Sequence, residues 1–245
     1  MKARVAAATA VALVVAALPQ GRAAEARADV ALVLAIDVSG SVDDARFALQ
    51  RDGVAAALES SDFAALLSGG TNGAVEIAVV EWAEEQSVVL PWTVVRNGAD
   101  LAAAAGRVRR AARSWVHTKT DPAGGIAAAD LLFSSAPMTA DRKVIDVSGD
   151  GRQNTGEIPT AEARDAAVAH NITVNGLPIT LGDDPHVDDW YRENVIGGTG
   201  AFIVVADGYD AFAAAFRQKL TLEVAGRTPA LTFASRSARI EDEGD

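Results

Sequence analysis

The sequence contains no cysteine. That excludes disulfides, thiolate metal sites, cysteine nucleophiles and a lipid anchor on an N-terminal cysteine. Histidine is scarce too. His117, His170 and His186 are scattered, and none stands at a metal-ligand spacing from another. Positive charge is in deficit: 22 Lys and Arg against 33 Asp and Glu give a formal net charge of −11. No cationic field is available to attract a nucleic-acid backbone or an anionic membrane. Long apolar runs are missing beyond the N-terminus, so the mature chain has no segment long enough to span a bilayer.

What remains is globular. Hydrophobic residues make up 49% of the 245, enough for one large α/β domain with a full core. The N-terminus has its own pattern. Lys2 and Arg4 precede an apolar run over 5–18, and small residues follow around Ala24. This is the pattern of a signal peptide over 1–26, with an uncleaved anchor as the alternative. The mature protein is then expected to be exported, to the periplasm or the cell exterior. The end of the chain, 227–245, is small and charged and closes on Glu241-Asp242-Glu243-Gly244-Asp245, as expected of a disordered acidic tail.

Between these ends the apolar patterns alternate. Val30 to Ile36 are seven apolar residues in a row, the pattern of a strand buried on both faces. Ser41 is placed to cap a helix, with Phe47, Val54 and Leu58 as its apolar stripe. Gly53 lies inside that helix and weakens it by about 1 kcal/mol relative to Ala, so a tertiary contact should use its small size. The stretch 60–73 looks like a loop around a short apolar piece. Strands over 75–82 and 87–92 are too close for a crossover helix and must form an antiparallel hairpin. Pro91 assigns the second of them to a sheet edge. A helix over 101–115 carries Arg107, Arg109, Arg110 and Arg113, and a solvated surface is the plainer explanation of that basic face. A helix over 124–133, a strand over 143–148, a helix that Thr160 caps, and a strand over 172–179 follow. The acidic loop 183–189 then leads into a short helix around Trp190. Capping by Asp188 or its neighbours explains that loop, and a second cation such as Ca²⁺ is the alternative. A last strand over 201–206 and a helix through Phe212, Phe216 and Leu220 close the domain. The expected fold is α/β, a three-layer, doubly wound, mostly parallel six-stranded sheet with one antiparallel edge strand.

Three oxygen-rich loops should meet at the carboxyl edge of such a sheet, where open α/β sheets bind ligands. The first offers Asp37, Ser39 and Ser41, the second Thr118, Thr120 and Asp121, the third Ser148 and Asp150. Each alone is an ordinary turn or cap signal. Together they make a set of hard donors suited to a divalent cation, foremost Mg²⁺, with Mn²⁺ and Ca²⁺ as alternatives. Hydroxyls of Ser39, Ser41 and Thr120 with two carboxylates leave the coordination shell incomplete. A partner's carboxylate can fill the open position. A Ser-His-Asp hydrolase is disfavoured because neither Ser39 nor Ser148 lies in a Gly-x-Ser-x-Gly elbow. A phosphate loop would need a Gly-rich turn with Lys, which the first βα turn lacks.

These residues carry a resemblance. Asp37-Val38-Ser39-Gly40-Ser41, Thr120 with Ala123 and Ile126 after it, and Asp150-Gly151 after the fourth strand resemble the von Willebrand factor A (VWA) family and its metal-ion-dependent adhesion site. The likeness runs over 29–226. Glu81-Trp82, Pro91-Trp92, Val147 to Gly151, and Trp190-Tyr191 through Gly197-Gly198 are similar to a group of exported bacterial VWA-like proteins of unknown function. The resemblance implies a metal on Asp37, Ser39, Ser41, Thr120 and Asp150, with the two Asp residues acting through water. It also implies a protein partner that supplies an acidic side chain. Gly149 departs from the family pattern by intervening between Ser148 and Asp150, which leaves Asp146 as the alternative to Asp150, as Thr118 is to Thr120. Three functions follow as expectations: a secreted binding module, a metal-assisted hydrolase using the same ion, and a structural protein whose site stays empty.

Overall fold

The structure is a computed structural model in which residues 26–115, 119–181 and 184–226 are described. The expected signal peptide and acidic tail lie outside the described residues, as does Thr118. Six strands form the main sheet: β1 (Val30–Asp37), β2 (Val75–Trp82), β3 (Gln86–Val95), β4 (Lys143–Gly149), β5 (Ile172–Thr180) and β6 (Ala206–Asp207). Their order is β3-β2-β1-β4-β5-β6. All pairs are parallel except β2 with β3, the hairpin. Among the described residues seven α-helices cover the sheet: α1 (Asp44–Leu58), α2 (Ser61–Gly69), α3 (Gly98–Arg110), α4 (Pro122–Leu132), α5 (Thr160–Ala169), α6 (Val187–Asn194) and α7 (Phe212–Ala225).

β1 is central and buried at every position. Successive side chains point to opposite faces of a strand, and this splits the core in two. Leu32, Leu34 and Ile36 pack with residues of α1, α2, α3 and α7. Ala31, Val33 and Ala35 pack with residues of α4, α5 and α6. Burying each large aliphatic side chain contributes about 1.5–3 kcal/mol, so the double burial of β1 makes it the firmest element from which to hang a loop. Gly53 has its tertiary use: a Cβ there would sit 2.9 Å from Phe212 Cδ1 and 3.2 Å from the Cα of Ala213. Close approach of α1 to α7 therefore needs the glycine. Pro91 lies in the edge strand β3, where the register with β2 shifts between Ile77 and Val79.

Several local expectations differ from the structure. Residues 60–73 hold a true helix, α2, because Ser60 accepts from Phe63 N and Phe63 and Leu67 find the core. The helix expected over 101–115 ends at Arg110, and Ala111 turns extended. Tertiary bonds win there: Arg113 and Ser114 both reach toward β1 and β2 (see below). Asp43, not Ser41, caps α1, accepting from Arg46 N at 2.8 Å. Thr160 is the first residue of α5 and gives its cap role away, since its N–H and hydroxyl both donate to Gln153 Oε1. No side-chain cap bond starts α6, and Asp188 lies within its first turn. The last strand shrinks from 201–206 to Ala206–Asp207, because the stretch before it makes isolated bridges to β5 at Gly197 and Ile203.

Candidate functional site

The chain leaves β1 toward β2 on one side and later returns to place β4 on the other. The carboxyl ends of β1 and β4 are thus the topological switch point of the sheet, where crevices form. Asp37 is the last residue of β1 and is fully buried. Its Oδ1 accepts from Ser39 N at 2.7 Å, while Oδ2 has no hydrogen-bond partner. Its carbonyl accepts from Gln50 Nε2 of α1 at 3.0 Å. Ser39 is buried and Ser41 exposed, with their hydroxyl oxygens 3.4 Å apart. Ser41 Oγ donates to Asp150 Oδ1 at 2.6 Å, bringing the loops after β1 and β4 into direct contact. The other Asp150 oxygen accepts from the Tyr209 hydroxyl at 2.8 Å.

Two carboxylates in one dry place repel. Burial first, and the negative charge of Asp150 second, push the Asp37 carboxyl up to about 7, against the opposing hydrogen bonds from Ser39 and Asp150. Burial and the same acids push the Tyr191 and Tyr209 hydroxyls up as well, so both stay neutral phenols. The nearest guanidinium is that of Arg46, 3.9 Å from Asp150 Oδ2 and partly exposed. Its strongest bond goes to the Ser41 carbonyl, at 2.6 Å.

Thr120 arrives from the segment before α4. It is 6% exposed. Its N–H donates to Asn154 Oδ1 at 2.8 Å and its hydroxyl accepts from Asn154 Nδ2 at 3.4 Å. Asn154 N in turn donates to Thr120 O. A Cβ on Gly151 would lie 3.6 Å from Thr120 Oγ1, so the Thr120 segment is laced to the loop that carries Asp150. Asp37, Ser39, Ser41, Thr120 and Asp150 therefore share one edge of the sheet. Asp146 does not join them. It pairs in register with Leu34, faces α7, and its Oδ1 lies 2.5 Å from Lys219 Nζ. Its register with Leu34, three residues before Asp37, sets it within the body of β4, short of the carboxyl edge where Asp150 lies. Ser148, named with the third loop, is buried with an unpartnered hydroxyl. Asp121 directly precedes α4.

Some contributors were not foreseen. Arg113 Nη2 donates to the carbonyls of Val38 and Ser39 at 2.7 and 3.0 Å, clamping the loop after β1. Beside it, Ser114 N donates to Glu81 Oε2. No sequence pattern marks Arg113, because it sits in what looks like a helical basic face. Gln50 was legible in principle: it stands alone as a long polar residue on the apolar stripe of α1. Arg152 pairs with Asp184 at 2.8 Å, which ties the acidic loop to the one after β4 and occupies that carboxylate. His170 pairs with Asp130 and His186 faces Asp189.

Hydroxyls and carboxylates are the donors of a hard cation. The buried, unpartnered Asp37 Oδ2 and the close Asp37–Asp150 pair fit such an ion. Among the described residues no group of three or more His, Asp or Glu is placed to hold a metal, and the candidate site itself offers two carboxylates with hydroxyls.

The family described as "Protein of unknown function (DUF1194)" matches residues 27–228. The chain belongs to the DUF1194 family. No curated protein matches it. Solved structures do resemble this DUF1194 chain. Proximal thread matrix protein 1 from the mussel byssus, with a zinc-occupied MIDAS motif, superposes with a TM-score of 0.60 at 16% identity, over 82% of this chain and 49% of that one. A von Willebrand factor type A protein from Catenulispora acidiphila gives 0.57 at 22%, over 81% and 43%. The vWF domain of the type V pili tip protein Mfa5 from Porphyromonas gingivalis gives 0.55 at 15%, over 80% and 96%. At such identities the likeness shows the fold, which is that of VWA domains. The chain spans about half the length of the mussel protein.

Proposed function

We propose that this DUF1194 protein is an exported VWA-type binding module. A divalent cation, foremost Mg²⁺, is held by Asp37, Ser39, Ser41, Thr120 and Asp150, and a protein partner completes its shell with a carboxylate. The observation that carries this reading is the pair of buried carboxylates, Asp37 and Asp150, set at the switch point among hydroxyls. The closest counter-charge, Arg46, stands 3.9 Å from Asp150. A bound cation supplies the charge that relieves their repulsion and a Lewis-acidic position for an incoming acid. The five side chains bind and orient it, and Arg113 and Gln50 hold the backbone that presents them. The zinc-occupied MIDAS motif of the mussel structure, on the same fold, supports a divalent ion in general. Export rests on the N-terminal pattern of residues 1–26.

Calorimetry with Mg²⁺ and Mn²⁺ tests the cation. Wild type should give a binding heat and Asp37→Ala none; equal heats in the two would overturn the reading. A pull-down from the exporting cell, in Mg²⁺ and in chelator, tests the partner. Ester or phosphate turnover with Mg²⁺ that Asp37→Ala abolishes would instead favour the hydrolase.

A further inference from the structure

The chain has two tyrosines, and both place their hydroxyls at the candidate site. Tyr209, in the short turn before α7, is 6% exposed and donates to Asp150 Oδ2 at 2.8 Å. Tyr191, on α6, is fully buried. Its hydroxyl has no hydrogen-bond partner, and neither has Asp37 Oδ2. These two orphan atoms crowd one point. A Cβ built on Gly149 would lie 2.8 Å from the Tyr191 hydroxyl and 2.7 Å from Asp37 Oδ2. We propose that Tyr191 and Tyr209 are paired positioning residues, one phenol for each site carboxylate. Gly149 is the gap that admits the Tyr191 hydroxyl to Asp37. The inference rests on the cation reading above for its purpose and on the side-chain geometry for its existence.

The physical case begins with cost. A buried donor and a buried acceptor left unmade each carry an uncompensated desolvation penalty. Here they face the same point, so a small shift or one bridging water satisfies both. The choice of a phenol matters. Lys or Arg behind Asp37 would cancel its charge, whereas a neutral hydroxyl fixes the carboxylate and leaves the whole charge for an ion. Ser39 N holds Oδ1, so a bond from Tyr191 to Oδ2 would grip the carboxylate at both oxygens. Outer partners of this kind tune metal sites as strongly as many direct ligands. Mg²⁺ demands near-ideal octahedral geometry while Ca²⁺ tolerates distortion. Loosening the grip should therefore hurt Mg²⁺ more than Ca²⁺. A side chain at Gly149 would collide with both partners of the grip.

The test uses the full exported chain with Tyr191→Phe, Tyr209→Phe and the double variant. In chelator, double-mutant cycles pair Tyr191→Phe with Asp37→Asn and Tyr209→Phe with Asp150→Asn. Each cycle should show a coupling of about threefold or more in the unfolding equilibrium constant; additive effects in both cycles overturn the proposal whatever the metal does. In titrations with Mg²⁺ and Ca²⁺, each Phe variant should lose about tenfold or more in Mg²⁺ affinity and a smaller factor for Ca²⁺. Unchanged Mg²⁺ affinity, or equal losses for both ions, overturns the positioning role. A wild type that binds neither ion defeats the proposed function instead, and the chelator cycles still decide whether the phenols grip the carboxylates.

Discussion

Asp146 and Glu223 are one buried acidic pair in this molecule, and Asp37 and Asp150 are another. The first lies under α7, on the face of β4 away from α6. Lys219 is buried between its members, with Nζ 2.5 Å from an oxygen of each. Asn175 Nδ2 adds a bond to Glu223 Oε1 at 2.9 Å, and the ammonium stands over the Phe202 ring. The second pair lies at the carboxyl edge, with hydroxyls, phenols and backbone N–H groups around it and a half-exposed Arg46 to one side. The chain thus buries a cation between the members of one pair, and surrounds the other with neutral donors and a single partly exposed Arg46 at 3.9 Å. Under the proposed function, a bound cation is what completes the second pair.

The largest expected break in this contrast is Lys219→Met. Removing the ammonium strands two buried carboxylates, and loss of one partner from a buried ion pair costs about 3–5 kcal/mol. Denaturant unfolding checks it; a loss below 1 kcal/mol would mean that Lys219 is not the charge that closes the pair. Next in size is the response to a metal. With Mg²⁺ at about 100 times its Kd, wild type should gain about 2.7 kcal/mol of stability, while Asp37→Asn gains nothing. In chelator the same variant should unfold no more easily than wild type, since it removes a buried charge that faces another. Melting curves with and without Mg²⁺ read both.

Arg113→Ala should cost about 2 kcal/mol, the scale of charge-assisted hydrogen bonds lost at a nearly buried guanidinium. It should also weaken Mg²⁺ binding, because the loop after β1 loses its clamp. Arg113→Lys restores the charge without the planar fork and should recover only part. A wild-type Mg²⁺ affinity in Arg113→Ala would show that the clamp serves the fold alone. The smallest effect is a pH slope. Burial, then the charge of Asp146, push the Glu223 carboxyl from its ordinary 4.5 up to about 7, against Lys219 and Asn175. A folded-state value above the unfolded one means that this group's contribution is fully present below about 4.5. It is then lost as pH rises through about 7. Glu223→Gln should flatten the stability profile over that window, and an unchanged slope would assign it to other groups.

Much of the fold was legible because burial writes itself into composition. β1 showed as seven unbroken apolar residues, the β2–β3 hairpin as two apolar runs too close for a crossover, and the edge position of β3 as Pro91. Gly53 announced a close helix contact. What failed was local. The helix thought to run to Trp115 stops at Arg110, since two backbone carbonyls of a distant loop bind Arg113 better than a further helical turn would. The strand over 201–206 dissolves into bridges, because Gly197, Gly198 and Gly200 let the chain cross β5 instead of running along it. At the candidate site, Asp37, Ser39, Ser41 and Asp150 were readable from their place after apolar runs. Tyr191, Tyr209 and Arg113 were not, because they come from elements far along the chain that meet the site through packing.

The sequence by itself determined which residues are apolar, where strands end, and therefore that oxygen donors would gather at one edge of a parallel sheet. Alternation along a strand is a local rule, and hydrophobic runs need no partner to be recognised. Only the tertiary structure decided which acid receives a cation from the chain and which is left among hydroxyls at the edge. Asp146 and Asp150 are four residues apart in one segment, yet the first is neutralised by Lys219 of α7 and the second meets Ser41 and Tyr209. That division depends on Lys219 of α7 reaching the strand body and on the loop after β1 meeting the strand end, and long-range packing leaves no periodic signature in the chain.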